Sequence, residues 1–316
     1  MASSHDDLYG LHIAVVLPCL NEGAAIADVV NAFRAALPAA DIYVYDNGSD
    51  DDTAERAAQA GAIVRLEARR GKGRALIRAF ADVDADVILI ADGDGTYDAA
   101  DAPRLIKALR ESHADMVTGV RTDAGQDGLY RQGHRLGNRF LTTIANVLFK
   151  ENFSDVLSGY RAFTRRFVKS FTLQPRGFEI EMMLTLHGAE INAPHVEVPI
   201  TYRERITGTQ SKLRTYRDGA RILAYALVLM KEAHPLRFFG WAAFILLAVS
   251  AVLMVPIVAE FFRTGLVPRF PTLILATGLS VIATICFVSG IIVDSISRRA
   301  KEQKRFAYIS QPPPKH

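Results

Sequence analysis

Residues 86–101 read DVILIADGDGTYDAAD. The opening DVILIAD is a short apolar, β-branched run of strand length, and the acid- and glycine-rich remainder breaks it abruptly. Outward from this stretch, HIAVVLP (12–18), DIYVYD (41–46), AIVRLE (62–67) and ADMVTGV (114–120) have the same strand character. Between them lie AAIADVVNAFRAAL (24–37), DTAERAAQA (52–60), GRALIRAFADV (73–83) and DAPRLIKALRE (101–111), all with helical periodicity. Asp101 with Pro103 just behind it marks a helix start. The alternation predicts an α/β fold: a Rossmann-like, mainly parallel sheet with helices on both faces and ligands at the carboxyl ends of its strands. Neither G-x-G-x-x-G nor G-x-x-x-x-G-K-[ST] occurs, so the dinucleotide and P-loop fingerprints are missing.

Four of the predicted strands end in polar clusters. Pro18-Cys19-Leu20-Asn21-Glu22 follows the first and Asp46-Asn47-Gly48-Ser49-Asp50-Asp51 the second. Arg70-Gly71-Lys72-Gly73 follows the third, and Asp92-Gly93-Asp94-Gly95-Thr96-Tyr97-Asp98 the fourth. In an extended segment residues i and i+2 project the same way, so Asp92 and Asp94 are placed to meet one hard cation. Mg²⁺ or Mn²⁺ takes one or two carboxylates and fills its other positions with phosphate oxygens and water. Gly93 between them lets a diphosphate approach the backbone. Asp98 and Asp101 read equally well as turn and helix caps.

The 316 residues are 50% hydrophobic and 22% charged, with a formal charge of +3. Mean hydropathy is +0.13, high for a wholly soluble chain. Disorder, collagen and disulfide scaffolds are excluded, the charge gives no case for nucleic acid, and Cys19 and Cys286 fit no zinc spacing. The apolar surplus sits in 238–262 and 272–296, each with a single charged residue near its end. Each is about 25 residues, roughly 37 Å as helix, enough to cross a ~30 Å hydrocarbon core. The short connection predicts a transmembrane hairpin. Lys231 and Arg237 before it, and Arg298, Arg299, Lys301, Lys304 and Arg305 after it, place both termini in the cytosol by the positive-inside bias. The expected layout is a cytosolic domain (1–216), a juxtamembrane amphipathic helix (217–237), the hairpin (238–296) and a basic cytosolic tail (297–316), solvated or bound to anionic lipid. Homo-oligomerisation is left open.

PCLNE, DNGSDDDT, GKGRA and DGDGTYDAAD together resemble family 2 glycosyltransferases of the GT-A fold. GNRFLTTIANVLF, DVLSGYRAF, FEIEMML and YRERITGTQSKL further resemble the polyprenyl-phosphate sugar synthase branch, the dolichyl-phosphate mannose synthase-like enzymes. The resemblance runs from about residue 12 to 215. It implies that Pro18, Leu20, Asn21, Glu22, Asp46, Asn47, Lys72, Asp92 and Gly93 line the nucleotide-sugar pocket, and that Asp92 and Asp94 hold Mg²⁺ or Mn²⁺. It implies acceptor-phosphate roles for Arg131, Arg135, Arg139, Ser211 and Lys212, and groups Asp94, Arg131, Arg139, Arg203 and Lys212 as catalytic; Arg203 and Arg205 belong to a closing loop. Many relatives carry DADLQ at 92–96, so the family's glutamine is Thr96 here.

The residues agree chemically with such a role. Joining a lipid phosphate to a nucleotide diphospho-sugar crowds negative charge, which guanidinium groups and a divalent cation offset. The resemblance thus implies inverting sugar transfer to a polyprenyl phosphate at the cytoplasmic membrane. Glu179 and Glu181 point to different faces of a helix, so at most one enters the site, while Asp155 and Tyr160 suit a structural turn. His134, His187 and His195 read as packing or surface residues. A processive polysaccharide synthase is the alternative, but its Q/R-x-x-R-W signature is absent, since the single tryptophan, Trp241, follows Gly240. A catalytically silent membrane module that binds nucleotide or lipid phosphate is the other.

Overall fold

The computed structural model describes residues 10–121, 132–171, 180–203, 227–228 and 230–314, with 132–139 as helix backbone. Two compact units emerge, Met1–Gly219 together with Gln303–His316, and Ala220–Glu302.

The first unit is built on a seven-stranded sheet. Its strands are β1 (Ile13–Cys19), β2 (Asp41–Asp46), β3 (Ile63–Leu66), β4 (Val87–Ile90), β5 (Met116–Arg121), β6 (Arg161–Thr164) and β7 (His195–Ile200). The order is β3-β2-β1-β4-β6-β5-β7. All pairings are parallel except those of β6, which runs antiparallel to both neighbours. The five strands read from the sequence are present; β6 and β7 are additions. Connecting helices are α1 (Ile26–Ala36), α2 (Thr53–Gln59), α3 (Lys72–Asp82) and α4 (Ala102–Glu111), followed by α5 (Gln132–Phe149), α6 (Arg165–Ser170) and α7 (Ile180–Ile191).

Burial explains why the sheet is central. Every residue of β1 and β4 is buried. Val15, Leu17 and Leu89 join Val30 and Phe33 of α1 and Leu105 and Leu109 of α4 in one core. The alternate residues Val16, Ile88 and Ile90 are buried on the opposite face, where Phe80 of α3 packs edge-on against Phe163 and Phe171. Each buried Val, Leu or Ile contributes about 1.5–3 kcal/mol. Pro103 sits in the first turn of α4 as expected, but the Asp101 carboxylate makes no cap; it accepts from the Thr201 N–H at 2.7 Å. The order of strands reverses between β1 and β4, which opens the crevice where such sheets bind ligands.

The second unit holds α8 (Pro235–Thr264) and most of α9 (Phe270–Ile309). Both are longer than the spans read from the sequence. Only 17% of each apolar window is buried, so neither is a core helix of a soluble unit; both are long and apolar enough to cross a membrane. The two run antiparallel. Ser250 Oγ donates to the Ala276 carbonyl at 2.7 Å and meets Ser280 Oγ at 2.8 Å, while a Cβ on Gly290 would lie 2.9 Å from that of Phe239. Small residues thus permit close approach. Gly265, in the left-handed region at φ 69, terminates α8.

The end of the chain departs from the expected free tail. Helix α9 continues through the basic cluster, and from Gln303 the chain belongs to the first unit. Lys304 Nζ pairs with Glu190 of α7 at 2.7 Å. The Tyr308 hydroxyl donates to buried Asp115, which also accepts two hydrogen bonds from Arg166 at 2.6 Å each. The Arg166 guanidinium lies 4.8 Å from the Tyr308 ring centroid. Of the basic cluster, Lys304 here finds a carboxylate partner.

Candidate active site

The carboxyl ends of β1, β2 and β4, with the start of α3, converge on the crevice. The Asn21 turn after β1 is left-handed, at φ 58. It is knitted to the loop after β2: Ser49 Oγ accepts from the Asn21 N–H at 2.9 Å, and Asn21 Oδ1 accepts from the Asp50 N–H at 2.8 Å. The Glu22 N–H donates to Thr53 Oγ1 at 2.9 Å. Pro18 is buried and Leu20 exposed beside them. Buried Asp46 accepts from Ser49, through its N–H and its hydroxyl. Asn47 spends its side chain on backbone: Nδ2 donates to the Glu67 and Arg69 carbonyls at 2.9 Å each, and Oδ1 accepts from the Gly71 N–H. It fixes the loop that delivers Lys72.

β4 ends at Ile90, and Gly93–Asp94 form a turn rather than the extended segment assumed from spacing. The two carboxylates are therefore set by the turn, not by strand alternation. Asp92 Oδ1 pairs with Lys72 Nζ, and the same ammonium pairs with Glu181 Oε1 of α7 at 2.5 Å. Gly159 closes over this cluster: a Cβ there would lie 3.1 Å from Asp92 Oδ2 and 3.2 Å from Lys72 Nζ. Buried Asp94 accepts from Thr96 through its N–H at 3.1 Å and its hydroxyl at 2.6 Å.

Electrostatics here are unbalanced toward the negative. Burial, with Glu181 and Asp94 adding to it, raises the Asp92 carboxyl above its ordinary range against the pull of Lys72. Burial also opposes the Glu181 charge, yet Lys72 holds that carboxyl below its ordinary range. Lys72 itself is pushed well above its ordinary value, because Asp92 and Glu181 outweigh the desolvation of its ammonium. Among the described residues one ammonium is shared by two carboxylates close to Asp94, an acidic set that suits a cation. Among the described residues no three His, Cys, Asp or Glu side chains gather as a metal cage. Asp92 and Asp94 instead supply the two-carboxylate set that suits an ion completing its shell with phosphate and water.

The rim is built from residues distant in sequence. Arg203 pairs with Asp98, and its N–H donates to the Thr96 carbonyl at 2.8 Å, so this position is tied to the acidic turn. Tyr97 packs tilted against Tyr160 and edge-on to Tyr202, with centroids 5.2 and 5.4 Å away, and its hydroxyl accepts from the Gly159 N–H at 2.9 Å. Asp155 takes a two-pronged pair from Arg121 at 2.7 and 2.8 Å. Fully buried Arg161 donates to the Val156 and Ser158 carbonyls at 2.8 and 2.9 Å and to Thr185 of α7 at 2.8 Å; burial lowers its pKa to about 10. Sequence reasoning missed Arg161, whose partners lie in the loop just before it and on α7.

Pro18, Leu20, Asn21, Glu22, Asp46, Asn47, Lys72, Asp92, Gly93 and Asp94 lie on these converging segments, and Arg203, after β7, is tied to the acidic turn through Asp98 and Thr96. Of the two glutamates weighed, Glu181 is in the cluster. Arg131, Glu179, Arg205, Ser211 and Lys212 lie outside the described residues, as does most of the 217–237 segment. Positions 135 and 139 fall one turn apart in α5, at the level of its backbone.

Comparison with known proteins gives the family and the fold. The glycosyl transferase family 2 model matches residues 14–171. Glycosyltransferase AglJ of Haloferax volcanii is 36% identical over 233 residues, 73% of this chain and 76% of that protein. Undecaprenyl-phosphate mannosyltransferase of Micrococcus luteus is 27% identical over 216 residues, 64% of this chain and 88% of that protein. Among solved structures, glucosyl-3-phosphoglycerate synthase of Mycobacterium tuberculosis with UDP has a TM-score of 0.59 at 23% identity, covering 74% of this chain and 85% of that one. A complex of that enzyme with Mn²⁺, UDP and glucosyl-3-phosphoglycerate has a TM-score of 0.57 at 24% identity, over 70% and 80% of the two chains. The fold is thus GT-A-like, and the chain belongs to glycosyl transferase family 2.

Proposed function

We propose that this family 2 glycosyltransferase moves a sugar, with inversion, from a nucleotide diphospho-sugar to a polyprenyl phosphate. The observation that carries the reading is the acidic turn Asp92-Gly93-Asp94 at the β1/β4 crevice, with Lys72 beside it and two membrane-length helices in the same chain. The Micrococcus luteus relative supports the acceptor class, and the UDP and Mn²⁺ complexes of the solved relative support the donor class and the divalent ion.

Asp92 and Asp94 would hold Mg²⁺ or Mn²⁺, which when bound neutralises charge on the leaving diphosphate. Lys72 adds a second positive charge to that end of the donor, oriented by Glu181. The acceptor phosphate is already ionised at neutral pH. One of its oxygens attacks the anomeric carbon as the bond to the nucleoside diphosphate breaks, and no strong general base is required. Arg131, Arg135, Arg139, Ser211 and Lys212 are assigned to the acceptor phosphate, and Arg203 to closure over both substrates. The catalytic unit lies on the cytosolic side, and the helices moor it to the bilayer that carries the acceptor.

Membranes containing the protein, given radiolabelled nucleotide sugars, undecaprenyl phosphate and Mn²⁺, are expected to form a mild-acid-labile glycolipid. A polymeric product would favour a processive synthase, and no turnover with any donor would favour a silent binding module. Asp94→Ala is expected to lower kcat at least 100-fold; an unimpaired variant removes the metal assignment.

A further inference from the structure

Cys19 closes β1, and its side chain is aimed at the acidic turn rather than at solvent. The residue is 2% exposed. Its Sγ donates a long hydrogen bond to the Leu17 carbonyl at 3.6 Å, and its own carbonyl accepts from the Asn47 N–H at 2.9 Å. Opposite it stands Gly93. An ideal Cβ on Gly93 would fall 2.3 Å from Cys19 Sγ, an overlap that must displace something. Its next contacts would be ordinary: 3.5 Å to Ile26 Cδ1 and 3.7 Å to Cys19 Cβ. The sulfur is the one atom that a side chain at position 93 would have to displace.

We propose that Cys19 and Gly93 form a matched steric pair that sets the height of the Asp92-Gly93-Asp94 turn above β1, making Cys19 a positioning residue for the donor-side carboxylates. The proposal rests on the reading of Asp92 and Asp94 given above. The thiol is the stop against which the turn seats. The glycine is required by that stop and not by its backbone angles, since Gly93 is not among the positive-φ residues. Moving the turn displaces Asp92, whose carboxylate pairs with Lys72, and so disturbs the donor-side cluster. Burial, followed by the charges of Glu22, Asp92, Asp46 and Asp94, raises the thiol pKa well above its ordinary value. Cys19 therefore fills space beside the carboxylates without adding a negative charge.

The test is a double-mutant cycle in the full-length protein, assayed with nucleotide sugar, undecaprenyl phosphate and a Mn²⁺ titration. Gly93→Ala is expected to lower kcat/KM about 100-fold and to raise the half-saturating Mn²⁺ concentration. Cys19→Ala removes the stop and is expected to cost about threefold. Cys19→Ala/Gly93→Ala is expected to recover to within about tenfold of the native enzyme, with native Mn²⁺ dependence, because the new methyl group occupies the space the sulfur leaves. A Gly93→Ala enzyme within threefold of native overturns the pairing. So does a double variant no better than Gly93→Ala, including one that fails to fold. Asp94→Ala, run beside them, separates the two levels: if it is unimpaired the donor-site reading fails, whereas an inactive Asp94→Ala beside an active Gly93→Ala removes only the steric pair.

Discussion

The sheet unit and the helical hairpin use the same apolar residues in opposite ways. In β4 the run Val-Ile-Leu-Ile is at most 4% exposed, whereas Val252 and Phe262 of α8 are 72% and 82% exposed. Charge is reversed as well. The sheet unit buries Asp94, Asp115, Arg161 and Glu181, each beside hydrogen-bonding partners. The hairpin has two hydroxyl groups, Ser250 and Ser280, bonded across its helices. Water drives the first unit to hide apolar surface and permits polar strand ends; the exposed apolar surface of the second suits hydrocarbon, which would ask it to satisfy every polar group internally.

The largest effect that would break this contrast is a charge placed on an exposed apolar residue in each unit. Val252→Asp lies near the middle of α8 and is expected to cost about 2.5–3.5 kcal/mol of membrane insertion. Leu66→Asp, on exposed edge strand β3, is expected to stay within about 0.5 kcal/mol. Glycosylation-reporter insertion assays for the first and chemical unfolding for the second measure both. Equal tolerance at the two sites would mean that the hairpin is not lipid-facing.

How much of this is legible in sequence follows from distance along the chain. The β1–β5 alternation is local, each strand followed within about a dozen residues by its helix, and the polar strand ends advertise the crevice. The spans of α8 and α9 are legible by composition alone. β6 is as short as β3 and β4 but runs antiparallel, outside the βα alternation that marks those two. The Lys72–Glu181 pair joins residues 109 apart, and Tyr308–Asp115 joins residues 193 apart. Such pairings belong to topology, and Lys304 of the basic cluster within α9 reads as a tail charge until Glu190 is placed beside it.

A second test sharpens how strictly the sheet unit rations charge. His187 of α7 is fully buried against Phe167 and Phe171, with Nε2 at 2.9 Å from Ser170 Oγ. Burial, with nearby Lys304, lowers its pKa to about 3. The unfolded chain takes up this proton near pH 6.5 but the folded unit only near 3, so the unfolded state binds more protons in that window. Stability is expected to fall by about 2 kcal/mol between pH 7 and pH 5 from this residue alone. Unfolding of the detergent-solubilised protein by guanidinium, native against His187→Gln, measures it; identical pH slopes would show that the imidazole is hydrated in the folded state.

The smallest effect concerns where the two regimes meet along one helix. α9 begins with the exposed apolar residues of the hairpin and ends with Tyr308 buried in the sheet unit. If the last turns serve only to end a membrane span, the Tyr308 hydroxyl contributes nothing and Tyr308→Phe is neutral. If they belong to the sheet unit, the substitution leaves Asp115 its Arg166 pair and its Thr164 partner but removes one donor. The ring and its Arg166 contact persist, so the loss is confined to a single hydrogen bond to a charged acceptor, about 1.5 kcal/mol. Faster hydrogen exchange at 303–311 and around Asp115, with 272–296 unchanged, is the expected pattern. Exchange rising along the whole of α9 instead would mean that the helix is one cooperative element and that the boundary at Gln303 has no energetic meaning.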